Sequence, residues 1–169
     1  MTEGQGNGAA APGNAGSGPM ELRPAGPLDS ELIAAIQQAC FPDDPWSADS
    51  IATLAGQPGS FALLALRGGE PAGFVLARVA AEDGEIIALG VLPEARRGGA
   101  GGLLVEGAIE GAGGLGATAL FLEVAEDNDA ARSLYKRCGF FSVGRRPGYY
   151  KRPDGRIAAL VMRYSFACK

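Results

Sequence analysis

The feature that most constrains the fold is a glycine-rich segment at the junction of an apolar strand and a helix. Four of the five residues from Gly98 to Gly102 are glycine, with Ala100 among them, and Arg96 and Arg97 come directly before. Glycine leaves backbone N–H groups unshielded, and a helix N-terminus adds the positive end of its dipole. Because glycine weakens a helix start, this density indicates close approach of an anion rather than a flexible turn. The segment predicts an α/β domain with a diphosphate cradle.

Two common phosphate-binding loops are excluded by their own requirements. A Walker loop needs the tripeptide Gly-Lys-Ser/Thr, which this sequence does not contain. The dinucleotide fingerprint needs a third glycine where Leu104 stands, and a strand that opens a βαβ unit near the start of the domain. Neither a Walker NTPase nor a Rossmann dinucleotide enzyme fits.

Hydrophobic periodicity predicts the element order β-α-α-β-β-β-α-β-α-β-β, an α/β sandwich with a mixed sheet. The strands on either side of the long central helix cover residues 86–92 and 117–124, and the last two strands are separated by a loop at 147–155. Residues 1–19 are rich in glycine and alanine, and we expect a disordered tail there. Residues 20–169 form the single folded domain.

Composition removes several classes of chemistry. The chain of 169 residues has no histidine, which excludes His-based triads and His metal ligands. Its three cysteines, in no disulfide or CxxC pattern, are expected as reduced thiols in a cytoplasmic protein. No apolar run approaches the ~18 residues that a membrane helix needs, and no signal peptide is expected.

The charge is uneven along the chain. Residues 132–169 carry ten basic side chains against one acidic one, although the whole chain has a net charge of −4. One part can therefore attract phosphate while the other favours a cationic substrate, or the two are simply solvated faces.

Motifs on both sides of the central helix resemble one enzyme family. The spacing Arg96-x-x-Gly99-x-Gly101 is similar to the acetyl-CoA pyrophosphate loop of GNAT-superfamily N-acetyltransferases. A later strand, an asparagine and a helix that ends in Leu-Tyr before Gly-Phe look like the rest of that signature. Four short segments more narrowly resemble the RimI-type ribosomal-protein alanine N-acetyltransferases. They are Pro45–Ser47, Leu122–Val124, Arg145–Tyr150 and Pro153–Gly155.

The resemblance implies the GNAT fold: a mixed seven-stranded sheet flanked by about four helices, with two central parallel strands splayed into a V. It implies acetyl-CoA as co-substrate and no metal. The pantetheine arm would pair with the backbone of Leu89, Gly90 and Val91. Asn128 would hold the cofactor from the other side while also capping its helix. The diphosphate would lie on Arg96, Arg97, Gly98, Gly99, Ala100, Gly101 and Gly102.

Two side chains are candidates for the chemistry. Glu123 lies in a strongly apolar strand, where burial of an acid is costly without a task, and the resemblance implies a general base. The alternative is a glutamate that reaches solvent, and Glu85 is a rival base. Tyr135 ends the Leu-Tyr step and carries a phenol that is protonated at neutral pH. The resemblance implies a general acid, and the alternative is a core tyrosine.

The acceptor site and the acceptor are expectations of the same kind. Tyr149 and Tyr150 would wall the acceptor groove, and Trp46 would form a second wall or cap the first two helices. The leading hypothesis is acetyl transfer to the N-terminal α-amine of a protein, with a ribosomal protein as the expected partner and no DNA or membrane partner. The alternatives are acetylation of a polyamine, antibiotic or amino acid, and an acetyl-CoA-binding module without turnover. The oligomeric state stays open.

Overall fold

The computed structural model describes residues 16–168. Most of the tail expected at residues 1–19, namely residues 1–15, lies outside the described residues. The first strand begins at Met20. The strands are β1 Met20–Ala25, β2 Ser60–Arg67, β3 Glu70–Ala80, β4 Asp83–Val91, β5 Ala119–Ala125, β6 Phe141–Arg152 and β7 Gly155–Ser165. The helices are α1 Ser30–Cys40, α2 Ala48–Ala55, α3 Ala100–Gly114 and α4 Asp129–Arg137.

All seven strands form one mixed sheet in the order β1-β2-β3-β4-β5-β7-β6. Every neighbouring pair is antiparallel except β4 and β5, which are parallel because α3 connects them as a crossover. Their pairing covers only three positions and ends at Glu85 opposite Phe121. Beyond that point the two strands separate, so the expected seven-stranded sheet with a central V is confirmed.

A hydrophobic core lies on each side of this sheet. Helices α3 and α4 cover one face, where Leu104, Val105 and Leu120 are fully buried. Helices α1 and α2 cover the other face over β2 and β3, where Ile33 and Phe74 are fully buried. Burying side chains of this size stabilises the fold by about 1.5–3 kcal/mol each. The V therefore opens inside a sheet that is held rigidly on both faces.

The loop predicted at residues 147–155 is wrong. Strand β6 continues to Arg152, and only Pro153 and Asp154 separate it from β7. The register passes from Arg146 opposite Ala159 to Tyr150 opposite Ile157, so the residues between form a bulge on the strand. A proline is tolerated here because β6 is an edge strand, where its missing N–H breaks no ladder. The segment predicted as a loop is therefore mostly part of the long hairpin formed by β6 and β7.

None of the helices in residues 16–168 has the length and the apolar character that crossing a membrane requires.

Candidate active site

A cleft of about 470 Å³ lies where β4 and β5 begin to separate. Its walls come from strands β3, β4, β5, β6 and β7. The cleft therefore lies on one face of the sheet, next to the V. Ten residues line it: Arg78, Ala80, Asp83, Gly84, Glu85, Phe121, Leu122, Glu123, Arg146 and Val161. Both acids considered as a base, Glu85 and Glu123, are therefore in one cleft.

Glu123 points into this cleft because side chains alternate along β5. Its neighbours Leu122 and Val124 pack into the core on the α3–α4 face, so Glu123 faces the other side. Its side chain is 21% exposed, and its Oε1 lies 2.9 Å from Nε of Arg146 on β6. The carboxylate is thus half-buried, and its Oε1 is held by a guanidinium.

Tyr135 is on α4, and it packs into the core on the opposite face of β5. It is 8% exposed and packs edge-on against Phe140, with ring centroids 5.9 Å apart. Burial, with smaller contributions from Tyr150 and Cys138, raises the pKa of the Tyr135 hydroxyl to about 12. The phenol therefore keeps its proton throughout the physiological range.

Tyr150 links the two candidate catalytic residues electrostatically. Burial is the main cause that raises the pKa of the Tyr150 hydroxyl, and the charge of Glu123 raises it further. Tyr150 in turn contributes to the raised pKa of Tyr135. Glu123 and Tyr135 themselves lie on opposite faces of β5, and each is within electrostatic reach of Tyr150.

Tyr149 and Tyr150, predicted to wall the acceptor groove, are not among the residues that line the cleft, but the exposed Tyr149 lies beside Glu123 and Arg146. The charge of Glu123 and a hydrogen bond to its carboxylate raise the pKa of the Tyr149 hydroxyl. The guanidinium of Arg146 lies over its ring, 5.8 Å from the centroid. Glu123, Arg146 and Tyr149 therefore form one polar group at the mouth of the cleft.

The four glycines of the predicted cradle differ in what surrounds them. A Cβ on Gly99, which caps α3 at φ +89, or on Gly102 would meet no atom within 4 Å. A Cβ on Gly101 would lie 3.0 Å from Leu134 of α4, and one on Gly98 would meet the guanidinium of Arg67. The N-terminus of α3 has no side-chain cap among residues 16–168, so no side chain satisfies its first N–H groups. This geometry fits a diphosphate.

The two arginines before the cradle have different environments. The Nε of Arg96 donates to the carbonyl of Val91 at 3.2 Å, and its side chain also contacts the thiol of Cys40. Arg97 is exposed and has a φ of +63, which is uncommon for a residue with a Cβ. Arg97 is therefore the freer cation of the two.

The other predicted cofactor residues lie along the V. Leu89, Gly90 and Val91 are in the part of β4 that has separated from β5. A Cβ on Gly90 would lie 3.0 Å from both Cys40 and Phe74, so this glycine also serves packing. Asn128 caps α4 through its Oδ1, which accepts from the N–H of Ala131 at 3.1 Å, and it is exposed beyond the end of β5.

Trp46 is not among the residues that line the cleft. It packs against the core on the α1–α2 face, and its backbone N–H donates to Oε1 of Gln37 at 2.8 Å. Gln37 is 3% exposed and also donates to the carbonyl of Asp44, so it fixes the loop between α1 and α2. A polar residue on the apolar face of a helix is the signal that could have revealed Gln37.

Sequence reasoning also missed Arg67 and Arg146, because each acts on a residue distant in the chain. Arginines of the basic C-terminal part form ion pairs with acidic residues that precede it in the chain. Arg145 forms a two-point ion pair with Glu126, and Arg152 forms another with Asp127, all at 3.0 Å. These pairs, with that of Arg146, fasten β6 to the end of β5 that carries Glu123.

Comparison with known proteins shows which family this chain belongs to. Residues 30–140 match the model of the Acetyltransferase (GNAT) family. The [Ribosomal protein bS18]-alanine N-acetyltransferase of Escherichia coli strain K12 is 33% identical over 119 residues, which are 70% of this chain and 79% of that protein. The N-alpha-acetyltransferase RimI of Mycobacterium tuberculosis is 31% identical over 128 residues, 73% of this chain and 79% of that protein.

A solved structure extends the agreement to most of the fold. The crystal structure of the ribosomal-protein-S18-alanine N-acetyltransferase from Escherichia coli superposes with a TM-score of 0.81 and 26% identity. The match covers 89% of this chain and 96% of that one, so the mixed sheet and its V are shared almost entirely.

Proposed function

Because the chain belongs to the acetyltransferase (GNAT) family and is an acetyl-CoA-dependent N-acetyltransferase, we propose that its acceptor is the N-terminal α-amine of a protein, of the ribosomal-protein alanine type. The observation that carries the proposal is the cleft beside the V, where Glu123 faces a space bordered by the exposed side chains of Asp83, Glu85 and Arg146. An open-sided cleft suits a chain end, whereas a free amine is best held in a closed pocket. The names of the relatives support the same acceptor.

The α3 N-terminus and the V hold the co-substrate in this proposal. The backbone from Arg97 to Gly102 binds the diphosphate, and Leu89, Gly90 and Val91 align the pantetheine arm. Asn128 stays a cap and offers its amide nitrogen from the far side. When bound, acetyl-CoA supplies an acetyl thioester, and the remaining steps are proton movements on this chain.

Glu123 and Tyr135 divide those proton movements between them. A protonated amine has no lone pair, so the carboxylate of Glu123 accepts a proton from the amine, directly or through one water. Tyr135 donates a hydrogen bond to the departing sulfur, and its raised pKa keeps that proton in place until then. Glu85 is the alternative base in the same cleft.

The acceptor is tested by a panel of peptides and free amines. We expect an Ala-starting peptide to be acetylated on its α-amine, and polyamines and free amino acids to react slowly. At pH 7 the neutral fraction of an α-amine exceeds that of a lysine amine by roughly several hundredfold, because their pKa values are near ~7.8 and ~10.4. Thiol release gives the rate, and mass spectrometry of an Ala-starting peptide with an internal lysine gives the position.

The controls are the same peptides with a blocked N-terminus. If a blocked peptide is modified on lysine, or a small amine reacts faster than any peptide, the protein N-terminus is not the acceptor and the small-amine alternative replaces it.

The cradle is tested by comparing two glycines with the same backbone conformation. Gly99 and Gly116 have φ values of +89 and +86, and a Cβ on either meets no atom within 4 Å. Alanine costs each position similar backbone strain, about 1–2 kcal/mol. They flank opposite ends of α3, a helix of 15 residues, so Gly116→Ala is a matched control. We expect only Gly99→Ala to weaken acetyl-CoA binding, by about tenfold or more, as measured by calorimetry. Equal affinities in the two variants would contradict the cradle.

A further inference from the structure

Arg67, at the end of β2, reaches the glycine segment from a distant part of the chain. Its Nη2 donates to the carbonyl of Gly98 at 2.6 Å across 31 positions of sequence. A Cβ on Gly98 would lie only 3.0 Å from the guanidinium carbon, so glycine is the residue that allows this contact. The arginine and the glycine are therefore fitted to each other.

This contact fixes the orientation of the peptide unit between Gly98 and Gly99. In a planar trans peptide the carbonyl and the following N–H point in opposite directions. Since the carbonyl of Gly98 points to Arg67, the N–H of Gly99 points away from it. Among residues 16–168 that N–H donates to no backbone acceptor, and the position beside it is open.

A peptide unit between two glycines is the one most easily turned over, because neither side has a Cβ to restrict rotation. In the turned state the carbonyl oxygen of Gly98 would face the space in which an anion lies, and it would repel a diphosphate. The guanidinium of Arg67, which donates to the Gly98 carbonyl from the opposite side, disfavours this turned state.

We propose that Arg67 is a positioning residue for acetyl-CoA: it holds the Gly98–Gly99 peptide so that the Gly99 N–H faces the diphosphate. The proposal rests on the assignment of the glycine segment to the diphosphate. It does not depend on the identity of the acceptor amine.

The test compares ligands with and without the diphosphate. In Arg67→Met we expect the dissociation constant of acetyl-CoA, and the inhibition constant of inorganic diphosphate, to rise about tenfold. Acetyl-pantetheine, which lacks the diphosphate, should bind as it does to the wild type, and kcat at saturating acetyl-CoA should not change. Arg23→Met is the control, because Arg23 is an exposed arginine that pairs with Asp29. It should leave all of these values unchanged.

Two further variants separate orientation from charge. Arg67→Gln keeps a donor without the charge, and Arg67→Lys keeps the charge with a donor; both should recover part of the affinity. If lysine restores binding fully and glutamine restores none, Arg67 acts through its charge and the proposal is wrong. It is also wrong if acetyl-pantetheine loses affinity in parallel with acetyl-CoA, since that indicates a general structural role.

The proposal and its premise fail in different ways. If Gly99→Ala leaves acetyl-CoA affinity unchanged, the cradle itself is misplaced. If Gly99→Ala weakens binding but Arg67→Met does not, the cradle stands and the positioning role is overturned.

Discussion

Replacing Glu123 with glutamine is expected to lower kcat/KM for the acceptor amine by about a hundredfold to ten-thousandfold, the range of general-base catalysis. Glutamine has nearly the same shape and can contact the guanidinium of Arg146 through its carbonyl oxygen. It cannot hold a proton taken from an amine. The loss should be greatest below pH ~7.8, where an α-amine arrives protonated and must give up a proton. Acetyl-CoA release assays from pH 6 to 9 measure it.

Two neighbouring substitutions show whether the effect belongs to the carboxylate of Glu123. Glu85→Gln removes the other candidate base from the same cleft, and we expect a much smaller loss. Arg146→Met leaves the Glu123 carboxylate in place but removes its ion pair of 2.9 Å. If Arg146→Met were as slow as Glu123→Gln, the ion pair would be the cause. If Glu85→Gln were the slower of the two glutamine variants, the base would be Glu85.

Acetyl-CoA affinity should remain unchanged in Glu123→Gln, because the glycine segment lies at the other end of the V. A variant that loses affinity and rate together would indicate a distorted V rather than a missing base. Calorimetric binding of acetyl-CoA to the wild type and to Glu123→Gln distinguishes the two outcomes.

Local sequence signals were sufficient for most of the fold. Apolar periodicity and turn residues gave the element order, and the strand and helix that flank the glycine segment were placed within a few residues. The alternation in β5 also placed Glu123 on the side opposite Leu122 and Val124. These signals act between residues close in sequence, which is why they could be interpreted without a structure.

The parts that sequence reasoning missed depend on contacts between distant residues. The partner of Glu123 is Arg146, whose position depends on the register of β7 between them. Pro147 and Gly148 look like a loop, yet the bulge admits them because no further strand pairs with that edge of β6 in residues 16–168. The contact of Arg67 with Gly98 joins the end of β2 to the glycine segment before α3, and only the folded chain brings the two together. Register and bulges are tertiary properties.

Burial around Tyr135 changes what its hydroxyl can do. A phenol whose pKa is about 12 is a weaker acid than a thiol, for which ~8.5 is usual. Complete proton transfer to a free thiolate would be uphill, so we expect Tyr135 to act first as a hydrogen-bond donor to the sulfur as charge develops there. A donor that stays largely protonated up to pH ~11 is suited to this role.

Tyr135→Phe is therefore expected to lower kcat by about a hundredfold while the acetyl-CoA dissociation constant stays the same. Phenylalanine keeps the edge-on contact with Phe140, so the core is preserved. Tyr164→Phe is the matched control, because Tyr164 also packs against Phe140, with centroids 5.7 Å apart, and has no proposed part in the reaction.

The pH dependence gives a second, independent test of Tyr135. Its raised pKa means that the neutral phenol persists up to about pH 12, so the wild-type rate should show no loss from Tyr135 between pH 8 and about pH 11. Rates with a fixed acceptor, and far-ultraviolet circular dichroism to confirm the fold, measure this. An alkaline loss near pH 10 that disappears in Tyr135→Phe would show that the hydroxyl titrates normally. Full activity in Tyr135→Phe would remove it from the chemistry, since burial alone then explains a tyrosine at that position.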